Sequence, residues 1–137
     1  MTSDLPGVRP DIADQLLPTK LGIEITEATP ERVVATMPVK GNLQPYGLLH
    51  GGANAVLAET IGSVCAALTA GLDRATMGVE LSCTHHRGVT SGTVTGVAVP
   101  VHAGRSVITV EIVITDDAGR RTCTSRLTCF VRDRPPT

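Results

Sequence analysis

Aromatic residues are almost missing from this chain: Tyr46 and Phe130 stand alone, and there is no Trp. A surface that holds single-stranded nucleic acid by stacking needs several rings, so that class is excluded. An excess of one charge is missing too. Twelve basic and thirteen acidic residues give a net −1, which argues against a general nucleic-acid binder. No apolar run is expected to approach the ~20 residues of a membrane span. Met1 to Asp14 lacks the basic start and apolar stretch of a secretory signal. C-x-x-C pairs are absent as well. Cys65, Cys83, Cys123 and Cys129 are scattered, which speaks against a zinc ribbon or other metal site. The expectation is a cytoplasmic protein with free thiols and no nucleic-acid or membrane partner. Cys83, Cys123 and Cys129 lie in strand-like segments and read as core filler.

What is present is enough to build a core. Apolar residues make up 42% of the 137 and charged residues 18%, so the chain is not disordered by composition. The length suits a single domain over residues 21–137, preceded by a leader over 1–20 with a short helix. The net charge hides an asymmetry: residues 1–84 sum to −4 and residues 85–137 to +3. A basic C-terminal half can receive an anionic small molecule such as a phosphate, or can be a scatter of solvated arginines.

Asp11 to Leu17 reads as a short helix stopped by Pro18. Leu21–Ala28 and Arg32–Val39 read as a hairpin, because Val33, Ala35, Met37 and Val39 alternate with their neighbours. A turn-rich loop follows over residues 40–49. From Gly51 to Ala70 the apolar residues fall at helical intervals, with Gly71 as the stop. Four segments rich in Val, Thr and Ile come next: Thr76–His86, Gly92–Val101, Ser106–Thr115 and Arg121–Val131. They have no helices between them, so they pair antiparallel. The fold class is α+β, with one long helix against a single antiparallel sheet.

The long helix carries one charge. Glu59 is the only charged residue between Gly51 and Gly71. It shares a face with Gly52, Ala55, Ser63 and Ala66, all small and spaced three or four apart. A carboxylate on a helix this apolar is costly unless it is paired or used. It either faces solvent or an arginine, or it does chemistry. His50-Gly51-Gly52 leads into the same helix. The first amides of a helix have no internal acceptor, and glycine lets a ligand oxygen approach them. That combination makes an oxyanion site, or merely a tight helix entry.

The stretch Gln44-Pro45-Tyr46-Gly47-Leu48-Leu49-His50-Gly51-Gly52-Ala53, followed by Leu57-Ala58-Glu59-Thr60-Ile61-Gly62-Ser63, resembles the hotdog-fold acyl-CoA thioesterases of the PaaI-like type. It is most similar to the branch of 4-hydroxybenzoyl-CoA thioesterase with a catalytic Glu. The resemblance covers about residues 20–132. It implies an antiparallel sheet wrapped around the long helix, and sheets joined in a dimer that pairs again into a tetramer. It implies a site shared between protomers, with Gln44, His50 and Gly51 from one and Glu59 from the other. By the same resemblance the Gly51 amide polarises the thioester carbonyl and Gln44 holds that region. His50 orients the loop or the thioester. Glu59 attacks the carbonyl or activates water. Ser63 would bond the carboxylate or position water, or simply pack closely.

His85 is placed by the resemblance near the acyl pocket or the thioester, whereas His86 suits solvent. The two point to opposite faces of a strand and cannot easily share a metal. The turn His102-Ala103-Gly104-Arg105-Ser106 would contact the pantetheine and nucleotide of coenzyme A, since an Arg at a glycine turn can meet a phosphate. Arg87, Arg121 and Arg126 are weaker candidates, and Arg126 could instead pair with Glu80 or Glu111. The implied reaction is hydrolysis of a small, aromatic acyl-CoA, with no cofactor beyond the coenzyme A of the substrate. The alternatives are a non-catalytic acyl-CoA-binding module and a hotdog dehydratase or hydratase.

Overall fold

The computed structural model describes residues 9–135; the leader expected over 1–20 therefore lies partly outside the described residues. A 3-10 turn spans Pro10–Gln15 and a single helical turn, α1, spans Leu17–Lys20. Pro18 does not stop a helix here. It sits in the first turn of α1, where its missing N–H has no bond to lose. Six strands follow around one long helix: β1 (Glu24–Ala28), β2 (Val33–Pro38), α2 (Gly51–Ala70), β3 (Arg74–His85), β4 (Thr93–Ala103), β5 (Val107–Thr115) and β6 (Arg121–Asp133). The helix has the expected bounds. The strands agree with the expected ones to within three residues at each end.

All strand pairs are antiparallel, in the order β1-β2-β4-β5-β6-β3. The alternation expected of strands is plain in β5, where Ile108, Val110, Ile112 and Ile114 point inward and Glu111 points out. The helix packs against every strand. Two glycines let it come close. A Cβ on Gly62 of α2 would lie 2.8 Å from Leu127 Cδ2, and one on Gly96 of β4 would lie 2.9 Å from Ile61 Cδ1. Leu57, Ile61, Met37, Ile112 and Leu127 are fully buried in the seam between helix and sheet. This is the hotdog arrangement.

Two expectations need correction. The helix α2 is 20 residues long, and its mean hydropathy of 1.3 makes it long and apolar enough to cross a membrane by length and composition. The expectation that no apolar run comes near that length fails. The apolarity serves the sheet: Ala53, Asn54, Leu57, Ala58, Ile61, Gly62, Cys65 and Ala66 are buried in the fold. Nor does the small-residue stripe run as expected. Ala66 is wholly buried against the sheet, so the open face continues from Ser63 through the exposed Ala67.

The strand β3 ends the order and forms one edge of the sheet. β3 pairs only with β6 and leaves its second edge open over twelve residues. A bulge interrupts its register between Gly78 and Glu80. Met77 and Val79 beside it are about half exposed.

Candidate active site

The loop before α2 is tied down by one side chain that the sequence reading passed over. Asn42 donates through Nδ2 to the carbonyls of Leu21 (2.9 Å) and Pro38 (2.8 Å), and its own carbonyl accepts from His50 N at 2.8 Å. Gln44 sits in a turn closed by Gly47 N to Gln44 O at 3.0 Å. Its side-chain oxygen accepts from the Tyr46 amide, which leaves its NH2 group as the free end.

His50 is the N-cap of α2. Its Nδ1 accepts from Gly52 N at 2.8 Å, so the ring proton is on Nε2. The next amide, Ala53 N, bonds the His50 carbonyl at 2.9 Å. That leaves the Gly51 N–H without an acceptor among the described residues. His50 therefore holds the helix entry through its ring, and the open amide at the positive end of the helix is Gly51's.

His85, at the end of β3, packs against Gly51. A Cβ on Gly51 would sit 3.0 Å from His85 Nε2. Gln44, Leu48, Leu49, Gly51, Asn54, His85 and Arg87 are among the walls of a cleft of about 340 Å³. His86 is exposed, as expected, and also borders this cleft, with its Nε2 2.9 Å from Thr124 Oγ1.

Glu59 is elsewhere on the helix. It is half-buried and has no ion-pair partner among the described residues. Its carboxylate lies on Gly78 of β3, where a Cβ would be 2.6 Å from Oε1. The cleft beside it, about 300 Å³, is lined by Leu17, Pro18, Ala55, Val56, Thr60 and Leu81. Cys129 lies below. Burial pushes its thiol up to about 11, with the charge of Glu59 adding to the effect. Ser63 is half-buried one turn beyond Glu59.

Within one chain these groups form two separate clusters. Gly51 and Glu59 are eight residues apart on α2, or about 12 Å of helix. The turn His102–Ser106 is remote from the first cluster. Register sets Met77, Phe130 and Val107 in one row and His85, Cys123 and Ile114 in another, about 25 Å away along the sheet. At that turn Gly104 N bonds Val107 O at 2.8 Å, a Cβ on Gly104 would be 2.7 Å from His102 Nε2, and Arg105 is exposed. Arg126 stands opposite Glu111 across β5 and β6, but it belongs to none of the ion pairs among the described residues. Those residues hold no cluster of three His, Cys, Asp or Glu side chains suited to a metal.

Comparison with known proteins agrees with this architecture. Residues 46–123 match the family model of the Thioesterase superfamily. The chain is 51% identical over 112 residues to the proofreading thioesterase EntH of Cronobacter turicensis, covering 81% of this chain and 82% of that one. Among solved structures, thioesterase HI1161 of Haemophilus influenzae superposes with a TM-score of 0.84 at 36% identity, covering 90% of this chain and 87% of that one. A mutant of thioesterase PA1618 from Pseudomonas aeruginosa gives 0.84 and 36%, covering 88% of each. The chain belongs to the thioesterase superfamily. It is a thioester hydrolase of hotdog fold, which sets the hydrolase above the dehydratase and binding-module readings.

Proposed function

We propose that this hydrolase cleaves a small, aromatic acyl-CoA at sites shared between two copies of the chain, giving the free acid and coenzyme A. The observation that carries the reading is the separation just described. The open Gly51 amide and the Glu59 carboxylate each border a half-formed cleft, and neither cleft holds both. The unpaired edge of β3 runs past both clusters, from Gly78 beside Glu59 to His85 beside Gly51. An open strand edge is a template for pairing. Two such edges meeting about a two-fold axis bring the first cluster of one copy to the second cluster of the other. Pairing of such dimers into a tetramer is part of the same proposal.

In this arrangement the thioester carbonyl oxygen accepts from Gly51 N–H. The positive helix end stabilises the charge that develops there. The NH2 group of Gln44 supports the same oxygen or its neighbour, and His50 keeps the amide aimed. The partner's carboxylate at position 59 stands on the other side of the carbonyl carbon. It attacks that carbon, expelling the coenzyme A thiolate and leaving an anhydride for water to open, or it takes the proton of an attacking water. Ser63 is within one helical turn and can hold that water. The apolar cleft of Leu17, Pro18, Ala55, Val56 and Leu81 suits a ring of the acyl group. Arg105, exposed at the glycine turn after His102, with Ser106 beside it, meets the phosphates of the carrier. No step requires a metal or further cofactor.

The test is release of free coenzyme A from benzoyl-type and straight-chain acyl-CoA thioesters. Glu59→Gln and Glu59→Ala are expected to lose turnover by orders of magnitude, with unchanged sedimentation and unfolding midpoint. Turnover retained by both would remove Glu59 from the mechanism. A preference for straight-chain thioesters would remove the aromatic assignment.

A further inference from the structure

Asn54 is a carboxamide where the fold has no use for one. It is one of three buried polar side chains among the described residues, 5% exposed. Thr122 and Ser125, the other two, bond Ile114 O and Cys83 Sγ. Asn54 instead reaches across to His85: its Nδ2 lies 3.3 Å from His85 Nδ1. Its Oδ1 is buried and has no partner. A leucine in this place would avoid that unsatisfied carbonyl and its cost.

The contact has a chemical consequence. With the amide in this orientation its NH2 donates, and the His85 nitrogen that faces it is then a bare acceptor. In a neutral imidazole the proton then sits on the other nitrogen, Nε2. Nε2 is the atom that closes over Gly51, 3.0 Å from the position a Cβ would take. The Gly51 amide nitrogen is about 2.5 Å from that same position by covalent geometry. Two donors so placed lie within reach of one oxygen at ordinary hydrogen-bond distances.

We infer that Asn54 is a positioning residue, which sets the tautomer of His85 so that its Nε2–H joins the Gly51 amide as a further donor to the thioester oxygen. The inference rests on the reading that the Gly51 amide faces that oxygen. Asn54 touches no reacting atom; it acts through His85. Its orphan carbonyl is the cost of a side chain that must present NH2, not oxygen, to the ring.

The experiment reads the ring directly. Nitrogen NMR of the labelled full-length protein at neutral pH is expected to show His85 with protonated Nε2 and bare Nδ1. Asn54→Asp offers an acceptor instead, so a proton appears on Nδ1. Asn54→Leu removes the contact while keeping the bulk. Both variants are expected to lower kcat about 10- to 100-fold on the thioester the wild type cleaves fastest, by analogy with the loss seen when groups that orient a metal-ligating histidine are removed. KM is expected to stay within about threefold, as for an interaction made in the transition state. The unfolding midpoint of Asn54→Leu should match or exceed that of the wild type, which a merely structural role for Asn54 would not allow. A wild-type His85 with bare Nε2 overturns the inference, whether or not the variants fold. So does wild-type kcat in Asn54→Leu. If the wild type turns over normally and only these results fail, the hydrolytic reading stands; absence of wild-type turnover overturns both.

Discussion

The Glu59 carboxylate rests directly on Gly78 of β3, with no room for a methyl group between Oε1 and the strand. The contact joins the only charge on the long helix to the bulge on the open edge strand. Gly78→Ala should therefore push the carboxylate aside without breaking the fold, because the nearest atom in the way is the tip of a flexible side chain and the next, Leu127 Cδ1 at 3.3 Å, need give only a few tenths of an ångström. A displacement of about 1 Å at a reacting group can cost ~100-fold in rate. The expected outcome is a large fall in kcat with little change in unfolding midpoint, checked by steady-state kinetics and by calorimetry. Wild-type kcat would mean that the position of Glu59 on β3 has no part in catalysis.

Thiol chemistry gives a second prediction. Cys65, Cys123 and Cys129 are fully buried, and burial raises each thiol, Cys129 to about 11. Cys83 is half-buried. In native protein at pH 8 a thiol reagent should label Cys83 first and the other three only after denaturant is added, as mass spectrometry of the labelled peptides would show. The sign of the pH effect follows. An unfolded thiol ionises near 9, and the folded Cys129 thiol holds its proton to about 11. The unfolded state loses protons first, so stability falls as pH rises from about 9 to 11. Cys129→Ala should flatten that fall, whatever its effect on the midpoint at pH 7.

Much of the fold was legible because its signals are local. The period of α2, its stop at Gly71 (φ 93°) and the alternation in the strands are short-range patterns that packing did not override. Glu59 stood out for the same reason, as one acid in an otherwise uncharged helix. The order of the sheet was not legible: β3 lies at an edge beside β6, forty residues on. No local pattern shows which glycine will lie under a carboxylate, so Gly78 and Gly96 passed unnoticed. Asn54 was hidden by its position, one residue past the H-G-G-A stretch, where an amide looks like an ordinary first-turn residue. Its significance comes only from His85, which approaches from a strand thirty-one residues later. The apolar run of α2 was misjudged in the other direction. Glu59 interrupts it to the eye, yet its mean hydropathy suffices for a membrane span.

Gly96 tests the closeness of helix and sheet. A Cβ there would meet Ile61 Cδ1 at 2.9 Å and the Leu57 side chain at 3.2 Å. Ile61 and Leu57 are both fully buried, so neither has solvent to move into. Gly96→Val adds three carbons to that space, and valine's preference for strands does not offset the overpacking. Destabilisation of about 1–3 kcal/mol is expected, read from denaturant unfolding at equilibrium. A more stable variant would mean that α2 sits further from β4 than the structure places it.

The proposal that the site is shared between two copies makes a quantitative prediction from mixing two crippled proteins. Gln44→Ala damages the cluster at the start of α2, and Glu59→Ala removes the acid eight residues on. Alone, each should be nearly inactive. When the two are unfolded together and refolded in equal amounts, about half of the dimers carry one chain of each kind. In such a dimer, one site combines both defects. The other takes Gln44 from the Glu59→Ala chain and Glu59 from the Gln44→Ala chain, and is intact. One site in four across the mixture is thus restored, so roughly a quarter of wild-type turnover should return. If Gln44, Gly51 and Glu59 instead served a site within a single chain, every site would keep one defect or the other. Mixing would then restore nothing. Each variant refolded alone and combined afterwards without exchange gives the baseline, and sedimentation confirms that dimers have formed in both samples.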